Sequence, residues 1–99
     1  MGLNLSLSME NDDEFEKLKD TLNKEKSWPL VYMFKFIVLA KSNSKDLVES
    51  KFSDEAVISH KASSNGKYIS ITIKEVMLDA DSIINKYKEM KGIEGLISL

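Results

Sequence analysis

The chain has 99 residues, 42% of them hydrophobic and 30% charged, with only 4 Gly and 1 Pro, a composition that suits one compact domain and excludes disorder along its whole length. The formal charge is −2 and all 14 basic residues are Lys, which argues against a dedicated nucleic-acid module, since such modules carry a basic surplus and use Arg forks. There is no Cys and a single His, so disulfides, thiolate metal sites and Cys nucleophiles are ruled out and no cofactor or metal site is expected.

Residues 1–10 are expected to form a flexible start without the basic and apolar regions of a signal peptide. Met1-Gly2-Leu3-Asn4-Leu5-Ser6 fits the bare myristoylation pattern, but the acidic run that follows offers no polybasic support for an anchor, so an unmodified terminus is the expectation. The longest apolar stretch, Leu30 to Ala40, is interrupted by Lys35 and is too short to span a bilayer. No membrane contact and a cytoplasmic location follow as expectations.

Residues 11–27 read as an N-terminal helical extension. Phe15, Leu18 and Leu22 recur at intervals of three and four, a narrow apolar stripe on a helix. Acidic residues crowd its first turn and lysines its end, in keeping with the helix dipole. Ser27-Trp28-Pro29 stops it, because a residue before proline avoids helical angles. Residues 28–99 form the main domain.

Val31 to Ala40 is rich in aromatic and β-branched residues and apolar at nearly every position, the pattern of a central strand covered on both faces. A short helix follows, capped by Ser42 or Asn43 and carrying Leu47, Val48 and Phe52. Ala56–Ala62 and Tyr68–Val76 then make a hairpin about Asn65-Gly66, whose central residues are both expected at positive φ. Facing residues sum to 131, so Ile58/Ile73, His60/Ile71 and Ala62/Ile69 share an apolar face while Ser59/Thr72 and Lys61/Ser70 share a polar one. Asp79 or Asp81 caps a second helix with Ile83, Ile84, Tyr87 and Met90 on one face. Gly92 ends it, and Ile93 to Leu99 reads as a final strand.

Strand, helix, two strands, helix, strand is the order of an α+β, ferredoxin-like βαββαβ sandwich: a four-stranded antiparallel sheet with two helices on one face. Right-handed crossovers put the first and third strands in the centre. The opposite face carries Met33, Lys35 and Ile37 beside Tyr68, Ser70 and Thr72, and is expected to be covered by the N-terminal helix or by a second subunit.

No catalytic constellation emerges. His60 lacks a partner at any telling spacing and reads as a partly shielded structural residue of an edge strand. Ser63 and Ser64 read as hydroxyls bonding local backbone beside a turn. Tyr87 and Met90 read as packing. The candidate interaction surface is therefore the open face and hairpin tip: Lys35, Ser63, Ser64, Asn65, Gly66, Lys67, Tyr68 and Ser70. Two further uses are weighed there, a small ligand held beside the 63–68 turn and, as a lesser alternative, single-stranded RNA stacking on Tyr68.

Trp28-Pro29 with Tyr32 and Lys35, the run Ser63-Ser64-Asn65-Gly66-Lys67-Tyr68 with Ser70 and Thr72, and Ile83, Tyr87 and Met90 together resemble the YbeD-like family of small bacterial proteins of unknown function. The resemblance covers residues 28–99 and implies a ferredoxin-like fold similar to the ACT regulatory domains that bind amino acids. Ala62 and His60 depart from the family pattern, and Lys41-Ser42-Asn43-Ser44 lacks the glycine that ACT domains present after their first strand. The expected role is a non-catalytic regulatory or adaptor domain that binds a protein partner or a second copy of itself, with ACT-like amino-acid sensing as the alternative.

Overall fold

The computed structural model describes residues 12–25 and 27–99; the expectations for residues 1–10, including the acylation motif, lie outside the described residues. In chain order the elements are α1 (Asp12–Glu25), β1 (Leu30–Leu39), α2 (Ser44–Ser50), β2 (Val57–Ala62), β3 (Tyr68–Met77), α3 (Ala80–Glu89) and β4 (Ile97–Ser98). The four strands form one antiparallel sheet in the order β2-β3-β1-β4, so β1 and β3 lie centrally, as the ferredoxin-like plan requires. The β2–β3 register pairs Ile58 with Ile73, His60 with Ile71 and Ala62 with Ile69, as the alternation of the two segments dictates.

The core lies between the sheet and the helices. Phe34, Phe36, Val38, Ile71 and Ile73 project from the two central strands and are fully buried with Val48, Ile83 and Tyr87. Aromatic rings dominate this space: Phe34 meets Tyr87 edge-on at 5.4 Å between centroids and Phe52 at 5.1 Å, within the range where ring quadrupoles attract. The Tyr32 and Tyr87 hydroxyls lie 3.0 Å apart. Burial raises the pKa of both phenols above the ordinary tyrosine value, because a phenolate would lose its water.

The structure corrects several expectations. β1 is covered on one face only: Phe34, Phe36 and Val38 are buried, whereas Val31 is 63% and Met33 51% exposed. An apolar run broken only by Lys35 thus serves a one-sided sheet. The extension α1 does not cover the open face. Phe15, Leu18 and Leu22 are buried in the main core, Phe15 stacks near Tyr87 at 6.4 Å and Lys19 pairs with Asp81 at 2.9 Å, so α1 joins the helix layer beside α3. The aromatic face of α3 offers Phe15 a partner that the lysine-bearing sheet face lacks. His60, on the helix-side face of the edge strand β2, keeps 47% of its side chain exposed, so its shielding is only partial.

Asp79 caps α3, accepting from the Ser82 backbone N–H at 2.7 Å. Hydrogen bonds from the Ser82 hydroxyl and N–H hold its carboxyl below the usual aspartate value. Asn43 occupies the N-cap of α2 without a side-chain capping bond, and the Ser44 N–H instead donates to the Ser42 hydroxyl at 3.2 Å. α3 ends on a right-handed cap at Met90 rather than at Gly92. Ile93 is buried in the connection that follows, Gly95 takes φ +74° there, and the final strand is only Ile97–Ser98.

Candidate interaction face and hairpin tip

The tip is set by hydrogen bonds that its own sequence supplies. The Ser63 N–H donates to the Tyr68 carbonyl at 2.8 Å, and the Gly66 N–H donates to the Ser63 carbonyl at 2.8 Å. Asn65 Oδ1 accepts from the Ser63 hydroxyl at 2.8 Å and from the Lys67 N–H at 2.9 Å. The Ser63 hydroxyl in turn accepts from the Tyr68 N–H at 3.0 Å. Among the described residues only Gly66 and Gly95 have positive φ, +72° for Gly66. The expected two-residue bend with Asn65 and Gly66 both at positive φ is therefore replaced by a four-residue loop, Ser64 to Lys67, built on a turn from Ser63 to Gly66. The register survives because both loops pair Ser63 with Tyr68. The wider loop wins because the Asn65 amide oxygen caps local N–H and O–H groups without moving Asn65 itself into left-handed backbone.

The predicted residues separate into two neighbouring surfaces. Asn65, Gly66 and Lys67 join Leu39, Lys41 and Ser42 around an open cleft of about 580 Å³, with the Ala40 N–H tied to the Lys67 carbonyl at 2.9 Å. Ser63, Ser64, Tyr68 and Ser70 join Ile37, Lys61 and Ala62 around a shallower one of about 380 Å³ on the sheet. Lys35 lies next to this second cleft, opposite Thr72 and one position over from the Ile37/Ser70 pair.

The second cleft is one end of a larger surface, the uncovered face of the sheet. Cross-strand pairs place Val31 beside Val76, Met33 beside Lys74 and Val57, Lys35 beside Thr72 and Ser59, Ile37 beside Ser70, Lys61 and Ile97, and Leu39 beside Tyr68. Seven of the ten exposed large hydrophobic residues among those described stand here: Val31, Met33, Leu39, Val57, Tyr68, Val76 and Ile97. That concentration departs from the scattered single apolar residues of an ordinary surface. Lys61, Lys74, Val57, Val76 and Ile97 were not singled out from the sequence. Their signal is the period of two along β2 and β3, joined to β1 and β4 only once the pairings of Phe34 with Ile73 and of Ile37 with Ile97 are known. β4 pairs only with Phe36 and Ile37, so the Leu30–Phe34 stretch of the outer β1 edge has no strand neighbour among the described residues.

On the helix side, the Glu49 carboxylate sits 3.4 Å from the Lys45 amine and 4.0 Å from His60 Nε2. That last distance is beyond a hydrogen bond, so the imidazole and the carboxylate are neighbours without a direct bond. No group of three or more His, Cys, Asp or Glu side chains among the described residues is placed to hold a metal ion. No helix among them is long and apolar enough to cross a membrane.

The sequence model of the family described as "Protein of unknown function (DUF493)" matches residues 23–98. The match spans the whole sheet, α2 and α3, and the chain belongs to this family; the YbeD-like resemblance agrees with it. No curated protein and no solved structure gives a significant match.

Proposed function

We propose that this member of the DUF493 family is a non-catalytic regulatory or adaptor domain acting through protein–protein contacts on the uncovered face of its sheet. The observation that carries the reading is the gathering of exposed apolar side chains on that face, with Met33 51% and Val76 58% exposed, opposite the side on which the helices pack the core. Apolar surface of this extent left in water favours association, because covering it removes the cost of hydrating it. The reading places the domain in the bacterial cytoplasm, supported by the YbeD-like resemblance and by a chain without Cys.

Light scattering on the purified protein, followed by affinity capture from native cells, tests the proposal with wild type and with Val31→Ser/Met33→Ser. Self-association or a captured partner that is lost in the double variant, with the circular dichroism spectrum unchanged, is the expected result. A strict monomer that captures nothing, or capture indifferent to the substitutions, overturns it.

One observation favours a second reading, sensing of a small anionic metabolite such as an amino acid. The cleft at the hairpin tip sets Lys41 and Lys67 around the apolar Leu39, a combination suited to a carboxylate on a short apolar body. A thermal-shift series with amino acids and carboxylate metabolites tests it, since a bound ligand raises Tm by mass action. A series without any shift at millimolar ligand removes it.

A further inference from the structure

The charges on the uncovered face are as uneven as its apolar side chains. The strand residues that point there include Lys35 on β1, Lys61 on β2 and Lys74 on β3, and no Asp or Glu. The chain as a whole has 16 acidic residues against 14 lysines, so an all-cationic face runs against the average. Glu75 on β3 points the other way, where its carboxylate is held by the Ser53 N–H at 3.1 Å. All three lysines are exposed. By register Lys74 and Lys35 are diagonal neighbours, about 8 Å apart between backbones, and Lys61, two strands over from Lys35, is about 12 Å from it.

The lysines also have a pattern relative to the apolar side chains. They form a triangle about the row of Ser59 and Thr72: Lys35 continues that row on β1, Lys74 stands one same-face step to one side of it and Lys61 one step to the other. To one side are Val31, Met33 and Val76; to the other are Ile37 and Tyr68. We propose that this face docks an acidic, apolar-sided segment of another protein, its carboxylates meeting Lys35, Lys61 and Lys74 while its apolar side chains cover the two fields between. The proposal rests on the reading of this face as a docking surface and names the chemistry of what docks.

Charge decides against a second copy as the occupant. A face-to-face pair would bring two sets of three ammonium groups together with no carboxylate between them, and like charges in a desolvating contact cost several kcal/mol. The acidic helix α1 of a second copy fits no better, because Phe15, Leu18 and Leu22 are already buried in its own core. RNA is disfavoured by the aliphatic character of the face, which offers Tyr68 as its single aromatic ring and no Arg. The sheet face measures about 15–20 Å by 30 Å, enough for one helix or a strand pair and at the lower end of a standard interface.

Fluorescence anisotropy with a short amphipathic peptide of leucine and glutamate tests the proposal, beside its leucine–lysine counterpart, a single-stranded RNA and vesicles containing phosphatidylglycerol. Expected is salt-sensitive binding of the acidic peptide alone, weakened about tenfold or more by Lys35→Glu/Lys61→Glu/Lys74→Glu and unchanged by Lys17→Glu/Lys24→Glu on α1. Lys35→Gln/Lys74→Gln gives an intermediate loss and guards against misfolding of the triple variant. No binding of the acidic peptide, binding indifferent to the face lysines, preference for RNA or vesicles, or a lysine-tolerant homodimer each overturns it. If cell capture still depends on Val31 and Met33 while the acidic peptide fails, the docking face stands and only its assigned partner chemistry falls; if both fail, both readings fall.

Discussion

The two faces of the sheet are made by the same strands and differ only in which alternate residues each receives. Phe34, Phe36, Ile71 and Ile73 point to the helices and are completely buried; their neighbours Met33, Lys35, Thr72 and Lys74 point away and meet solvent. The helix side resembles any packed protein interior, closed by aromatic rings and a tyrosine hydroxyl pair. The other side combines aliphatic side chains with amines. Stability therefore resides on one face, and the association proposed above would use the other, one residue apart along each strand.

The largest test of that division is Phe34→Ala. Removing a ring that touches Tyr87 and Phe52 leaves a cavity, and a loss of about 3–5 kcal/mol is expected, read as a shifted denaturation midpoint. Next is Gly66→Ala in the hairpin tip that lines the larger cleft. Its added Cβ meets no atom within 4 Å, but φ +72° is strained for alanine, so a loss of about 1–2 kcal/mol is expected. A neutral result in chemical denaturation would show that the tip relaxes out of its left-handed backbone.

Tyr87→Phe removes one hydroxyl of the buried pair, at a cost of about 0.5–1.5 kcal/mol. It also probes an alkaline limit. Both phenols have folded-state pKa values raised above the unfolded value, so the folded state holds more protons than the unfolded chain above about pH 10. Their contribution is complete below that pH and is lost as pH rises further. Tyr87→Phe flattens this decline, which urea titrations between neutral pH and about pH 11 measure. The smallest expected change in stability is Met33→Ser, within about 0.5 kcal/mol because the side chain is already exposed. A loss comparable to that of Phe34→Ala would erase the contrast between the faces.

Much of the architecture was legible without coordinates. The Ile58/Ile73 register follows from two alternating segments and the loop between them, and Phe15, Leu18 and Leu22 announce a one-sided helix. The site was legible in part. Lys35, Tyr68 and Ser70 were placed on the open face and Asn65 to Lys67 at the tip. Lys74 escaped notice, and Lys61 was set on the hairpin's polar face beside Ser70 without being joined to Lys35, because each looks like an ordinary solvated lysine until three strands lie side by side. β1 misled for a related reason. An apolar residue on an uncovered face is spelled the same way as one that faces the core, so a nearly continuous apolar run cannot distinguish coverage on two faces from coverage on one.

Alternation, capping and the order of elements are local properties, carried by residues a few positions apart, and the sequence alone determined them. It also set which residues share a side of each strand. Only the tertiary structure decided that β1 is covered on one face alone, that α1 lies against α3 rather than across the sheet, and that three lysines from three strands meet on one surface without a carboxylate. Those outcomes depend on contacts between segments far apart in the chain, where burying aromatic rings against each other outweighs any preference encoded nearby.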